Sequence, residues 1–262
     1  MTEPVVDWGS LKAHELRELA TQETVVIVPV AAMEQHGPHL PTGTDTILGR
    51  EVARRAARLA APQRPVVVTE SVWCGISEHH MPFGGTISLD FATFRAVIRG
   101  IVGSIARHGF KRVWLMNSHG GNANAIRIIA DELAAELGIR VAASTYWLLA
   151  RPEMAALLEK QSGIRHACEG ETSMIMALHP ELVDASRLAE ADTPDNRDAS
   201  AGPERDLHVW SSFAAKTKSG ALGVPSAATP EKGQKMLDAA AEVVAGRLRD
   251  EALWRLDPAP AR

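Results

Sequence analysis

The sequence predicts an α/β fold whose central sheet is mainly parallel. Three observations carry this: β-branched apolar runs recur along the chain, amphipathic stretches of helical length separate them, and polar clusters follow directly on the runs. A nearly continuous apolar run suits a strand covered on both faces, which is how parallel sheets are built. With 262 residues, 45% of them hydrophobic, the chain can bury a full core. The simplest organisation is one domain over residues 1–262.

Taken in order, the first strand is expected over residues 24–30, where Val25, Val26, Ile27, Val28 and Val30 leave no polar alternation. A helix follows over residues 46–56, with Asp45 at its start. Residues 65–69 read as a second strand. Asp90 then opens a helix in which Phe91, Phe94, Val97, Ile98, Ile101 and Ile105 recur at threes and fours, a core stripe that stops at His108 and Gly109. A third strand is expected over residues 112–116, followed by a helix that ends near Gly138. A short apolar helix around residues 174–178 should end at His179 and Pro180. Residues 160–170 and 192–207 read as loops, and residues 257–262 as a frayed tail.

The chemistry sits in three clusters. Glu34 and His36 stand just beyond the first strand, two residues apart, so both point the same way from extended backbone. Asp45 comes nine residues after His36, where an aspartate either caps the helix or turns outward to a cation. Strand ends of this kind lie at the carboxyl edge of a parallel sheet, where open α/β folds place their sites. The second cluster, Asn117 through Asn122, puts His119 at the same edge, and Gly120 and Gly121 let the backbone approach a ligand closely. The third holds His166, Cys168, Glu169 and Glu171 at the mouth of the short apolar helix.

Each cluster has a plainer reading. Glu34 and His36 could be loop polars, Asp45 only a cap, residues 117–122 an anion loop at a helix start, and Glu171 a charge placed to suit the helix dipole. What favours a metal is that the three clusters share one alternating pattern and offer complementary donors, oxygen and imidazole without a thiolate set. Cys168 is expected to be a buried thiol, and Cys74 and Cys168 cannot form a disulfide framework. Residues 73–83 emerge after the second strand and form the best candidate substrate wall. Ser77 and His79 there, with Gly120 and Gly121, are the candidate substrate contacts. Adjacent His79 and His80 should not both reach the pocket from extended backbone. His14, His108 and His179 are expected to be structural or solvated, and His39 to orient a ligand through a hydrogen bond.

A net charge of −4 with no basic run argues against nucleic acid as a partner. The first residues lack a basic and then apolar leader pattern, and no run approaches membrane-spanning length, so a cytoplasmic protein without membrane contact is expected.

At these clusters the chain resembles the creatininase family of amidohydrolases. The matching residues are 34–41 with Thr44, Asp45 and Thr46, then Asn117 through Asn122, then His166 through Ser173, with a weaker match over residues 220–233. The resemblance implies a three-layer α/β/α subunit, commonly in a homohexamer, with two divalent ions per subunit, zinc, manganese or iron. Carried onto this sequence, Glu34 and His119 would serve one ion, His36 and Glu171 the other, and Asp45 would bridge them. Creatinine hydrolases take their last carboxylate from two residues after the second-cluster histidine, where this chain has Gly121. That departure moves the role to Glu171 and points away from creatinine as substrate.

The expected reaction is hydrolysis of a carbon–nitrogen amide bond in a small or cyclic amide by a metal-bridging hydroxide. His166, or less directly Glu169, would shuttle the proton to the departing nitrogen. The alternatives are a deformylase or peptidase acting on a modified peptide with the same site, and a non-catalytic protein that binds an anion on residues 117–122.

Overall fold

The computed structural model describes residues 4–193 and 209–256. The tail at residues 257–262 and most of the loop at 192–207 therefore lie outside the described residues. Four parallel strands form one sheet in the order β2-β1-β3-β4, with β1 at Val25–Val30, β2 at Val66–Val68, β3 at Arg112–Asn117 and β4 at Arg140–Thr145. β1 and β3 pair along their full length, from Val25 opposite Arg112 to Val30 opposite Asn117. β4 adds to the three strands expected. Its Ala142, Ala143 and Ser144 are only half-buried, and a small-residue run of that kind carries little strand signal.

Helices cover both faces, giving three α/β/α layers. A short α1 (Ala13–Ala20) precedes β1. On one side α2 (Thr44–Ala60), α7 (Glu169–Leu178) and α9 (Pro230–Arg249) pack on Val25 and Ile27 through Leu48, Val52, Met174, Ile175, Met236 and Val244. On the other, α3 (Phe91–Arg107) and α4 (Ala123–Leu137) pack on Val26, Val28 and Val30 through Phe94, Ile98, Ile126 and Ile129. Alternate residues of one strand thus feed opposite layers, which is why β1 is apolar at every position. Short helices complete the chain: α5 (Tyr146–Leu149) and α6 (Arg151–Ala155) after β4, α8 (Leu188–Ala191), and α10 (Glu251–Trp254), whose Trp254 is buried against Trp114.

Local signals set the helix ends. The Asp90 carboxylate accepts the Thr93 amide at the start of α3, a cap worth about 1 kcal/mol. Gly138 ends α4 in the left-handed region at φ 62°, which costs an L side chain and not glycine. Two expectations need correction. The α3 stripe is narrower than its periodicity suggested: Phe94, Ile98 and Ile105 are buried, whereas Phe91 and Val97 are 43% and 39% exposed. And α2 begins at Thr44 with Gly43 as its cap residue, so Asp45 stands inside the first turn and caps nothing.

The connections leave β1 toward β2 on one side and β3 toward β4 on the other, so the chain changes direction between β1 and β3. A crevice opens at such a point beyond the carboxyl ends of the strands. The first two clusters lie there.

Candidate active site

β1 delivers Glu34 and His36, β3 delivers His119, and the first turns of α2 and α7 deliver Asp45 and Glu171. All five are buried. His36 places Nδ1 3.1 Å from the Glu34 carbonyl. Donation there leaves the Nε2 lone pair pointing inward, 3.4 Å from Asp45 Oδ1. His119 is turned the other way: Nε2 lies 3.0 Å from the Ile76 carbonyl, so Nδ1 faces Glu34 Oε1 at 3.1 Å and Asp45 Oδ2 at 3.4 Å. Backbone carbonyls thereby fix both tautomers, as they do for histidines that ligate metals. The Ser77 hydroxyl donates to Glu34 Oε2 at 2.8 Å, and the Ala167 amide donates to Glu171 Oε2 at 2.6 Å. Ala167 itself is held at φ 51°, a left-handed conformation that costs a non-glycine residue about 1 kcal/mol or more and aims that amide at the carboxylate.

Two buried atoms at the centre, His36 Nε2 and Asp45 Oδ2, have no hydrogen-bond partner. Polar atoms this deep are costly to leave unsatisfied, and a water or an ion between them would meet both. His36, Asp45 and Glu171 each bring a donor atom within 4.8 Å of the others, as do Glu34, His79 and His119, and also Glu34, His36 and His166. The oxygen and imidazole donors fit divalent zinc or manganese.

The electrostatics agree. Burial pushes the His36 imidazole down, but Asp45, then Glu171 and Glu34, more than offset this and raise it to about 9. Burial likewise opposes protonation of His119, and Glu34 and Asp45 still carry it well above the usual range. Burial raises the Asp45 carboxyl while His36 and His119 pull it to about 2. For Glu171 burial wins and lifts the carboxyl to about 7. The floor is negative enough that, with no other cation present, His36 and His119 hold a proton on the nitrogen that would otherwise offer a lone pair.

Above this floor opens a cavity of about 440 Å³, lined by Glu34, Asp45, His119 and Glu171 below and by His79, His80, His166, Trp147, Phe213 and Lys216 among the walls. His166 lies with Nε2 2.7 Å from the Gln35 carbonyl and Nδ1 3.5 Å from Glu34 Oε1. Burial and the neighbouring His36 and His80 hold its pKa well below the ordinary range. His79 stacks on His119 with centroids 5.6 Å apart. Contrary to expectation His80 reaches the cavity too, because residues 78–83 form a 3-10 helix and not extended backbone. Its Nδ1 accepts from the Gln35 amide at 2.8 Å, and its Nε2 faces Glu34 at 3.4 Å.

The other expected residues fall as follows. Gly120 and Gly121 line the cavity. A Cβ on Gly121 would collide with the Ile76 carbonyl and the His119 ring. Ser77 is fully buried beneath Glu34, away from the cavity lining. Glu169 is also fully buried and turned from the cavity. Its carboxylate takes Lys232 Nζ at 2.6 Å and the amides of Glu159 and Lys160 at 2.8 and 3.0 Å. Cys168 is buried, with its thiol pushed by burial up to about 11. His39 meets Thr172 Oγ1 at 2.9 Å and reaches Glu171 only through that neighbour in the chain. His14, His108 and His179 are exposed. The loop at residues 117–122 spends its polar groups internally, with the His119 amide on Asn117 Oδ1 and the Asn122 amide on the His119 carbonyl, and this disfavours the anion-loop reading.

Several functional positions escaped sequence reasoning. Gln35 links His80, His166 and the Gly220 carbonyl. Trp147 and Arg151 follow β4 and could have been found by the same strand-edge rule. Phe213 and Lys216 come from a segment with no periodic signal.

Fold and site together define the class, an α/β/α hydrolase with a metal-competent floor. The chain belongs to the creatininase family, whose profile, described as creatinine amidohydrolase, matches residues 9–248. It is similar to the creatinine amidohydrolase of Pseudomonas putida, 31% identical over 92% of this chain and 94% of that one. It is also similar to the mycofactocin precursor peptide peptidase of Mycobacterium ulcerans (strain Agy99), 29% identical over 95% of this chain and 93% of that one. Among solved structures, a glutamate-to-glutamine mutant creatininase of the Zn-Zn type superposes with a TM-score of 0.81 at 29% identity, covering 97% of this chain and 100% of that one.

Proposed function

We propose that this protein is a dinuclear metal-dependent amidohydrolase that cleaves a carbon–nitrogen amide bond in a small amide other than creatinine. The observation that carries this is a cavity floor of five buried donor residues in which two atoms, His36 Nε2 and Asp45 Oδ2, have no hydrogen-bond partner. Glu34 and His119 would hold one cation, His36 and Glu171 the other, with Asp45 between them. The Zn-Zn type of the related creatininase supports two ions in such a site. When bound, two divalent cations polarise a carbonyl and lower the pKa of an attacking water.

The chain's own residues do the rest. Ser77 and Ala167 fix the carboxylate rotamers of Glu34 and Glu171, and the carbonyls of Glu34 and Ile76 fix the two imidazoles. His166 anchors its Nε2–H on the Gln35 carbonyl and so keeps a lone pair on Nδ1, which can take a proton from the attacking water and hand it to the departing nitrogen. Glu169 anchors the loop behind His166 and takes no part in proton transfer.

The absence of room at Gly121 supports a substrate other than creatinine, since the last carboxylate must come from Glu171. A peptidase reading rests on the likeness to the mycofactocin precursor peptide peptidase. The homohexamer implied by the family resemblance belongs to the same proposal. Phe91, Val97 and Ile128 on α3 and α4, 39–60% exposed, are apolar surface that such an assembly would cover, and light scattering reads it.

The test is metal analysis with turnover. The purified protein should hold close to two divalent ions per chain and lose hydrolysis of cyclic ureides, lactams, formamides or short peptides to chelators. A metal-free preparation that still turned over substrate would overturn the proposal.

A further inference from the structure

The cavity's mouth is basic where its floor is acidic. Arg151 opens α6 just beyond β4, and Lys216 follows the 3-10 turn at Phe213–Ala215; both line the same cavity as Glu34, Asp45 and Glu171. Both side chains belong to exposed residues. Arg151 has no hydrogen bond or ion pair among the described residues, and Lys216 Nζ has only the Phe213 ring, 5.7 Å from its centroid. Among the described residues neither cation has a carboxylate within ion-pair distance. Trp147, Leu148, Ile164 and Phe213 add apolar wall to the same cavity.

Charge decides what such a lining attracts. Two divalent cations would offset the three floor carboxylates and a bound hydroxide, and Arg151 and Lys216 then leave the cavity net positive, so that it draws in negative charge. A volume of about 440 Å³ falls in the range of clefts that enclose a ligand larger than a single small ring. We infer that the substrate carries a carboxylate beyond a short apolar segment from its scissile amide, and that Arg151 and Lys216 receive that carboxylate at the mouth. This rests on the proposed dinuclear hydrolase for the scissile end and for the charge of the floor. A guanidinium gives a carboxylate two parallel hydrogen bonds, and the ammonium adds a mobile third contact. An N-acyl amino acid and the free C-terminus of a short peptide share this chemistry.

Matched probes test it. Binding of N-acetyl-leucine against N-acetyl-leucinamide, and of the tripeptide Ala-Ala-Leu against its C-terminal carboxamide, is measured by calorimetry on the metal-loaded protein. In at least one pair the acid should bind about tenfold tighter than the amide. Arg151→Ala with Lys216→Ala should reduce that advantage to about twofold or less, whereas Lys216→Arg should keep most of it. Which pair shows the preference separates the acyl amino acid from the peptide. Equal binding of acid and amide, an advantage that survives the double substitution, or no binding of any probe overturns the inference. Turnover of the same probes is read separately. Hydrolysis without a carboxylate preference keeps the hydrolase and removes the inference, while a preference with no amide cleaved from any probe or panel compound does the reverse.

Discussion

Asp45 and Glu171 occupy matching places, each an acidic residue in the first turn of a buried helix that points at the sheet's edge. Their carboxyls are nevertheless driven apart, Asp45 down to about 2 and Glu171 up to about 7. Burial raises both. The difference is in what faces them. Asp45 lies between His36 and His119, at 3.4 Å from each, whereas Glu171 has the attraction of His36 alone, with one amide at 2.6 Å, set against the like charges of Asp45 and Glu34. The helix dipole favours both anions, by about 2 kcal/mol at most in a buried setting, and being common to the two it cannot separate them. Position in the helix therefore says less about a carboxylate than the side chains opposite it.

The sharpest way to break the comparison is Asp45→Ala. As the residue between both imidazoles it should take both metals and all measurable turnover with it, leaving the circular dichroism spectrum of the fold unchanged. Normal metal content in that variant would return Asp45 to a local helix role. Glu171→Gln should be milder and lose one ion of the pair, because an amide oxygen is a poorer donor to a divalent cation. Plasma mass spectrometry on the two proteins reads one contrast directly, none bound against one bound.

His166→Ala separates ligand from proton carrier. Both metals should remain while turnover drops by about 10²–10⁴-fold. Loss of a metal there would move His166 into the ligand set, which its contact with Glu34 at 3.5 Å makes a concrete alternative. The smallest effect is expected at Ser77→Ala, which frees one Glu34 oxygen and should weaken metal affinity or turnover by about 10–100-fold, the scale for groups that orient a ligand. A Ser77→Ala enzyme indistinguishable from the parent would show that Glu34 needs no such support.

Much of this was legible before any coordinates. Val25 to Val30 announces a doubly covered strand because every position is apolar, and the clusters after β1 and β3 converge because parallel strands end at one edge. The same logic failed where a rule was applied too simply. His80 was excluded from the pocket by assuming extended backbone, and the 3-10 turn at residues 78–83 brings it in beside His79. Glu169 looked like a proton carrier because it sits three residues from His166, yet its partner, Lys232, is 63 residues further along the chain. Ion pairs across such separations leave no local pattern. Phe91 and Val97 match the α3 stripe in spacing, but a stripe records which residues could be buried, not how wide the neighbouring helix is.

Gly121 also bears on how this site could have diverged. A β-carbon there would run into the Ile76 carbonyl and the His119 ring, so any larger residue requires the backbone around Ile76 to move first. A carboxylate cannot therefore pass from the α7 turn to the glycine loop by one tolerated substitution. In the proposed ligand set, giving up Glu171 first would leave a cation short of a ligand, and enlarging residue 121 first would displace His119. If Glu171 is the ligand proposed, moving the last carboxylate to the glycine loop would pass through inactive intermediates, and a variant library built from single changes should find no path across.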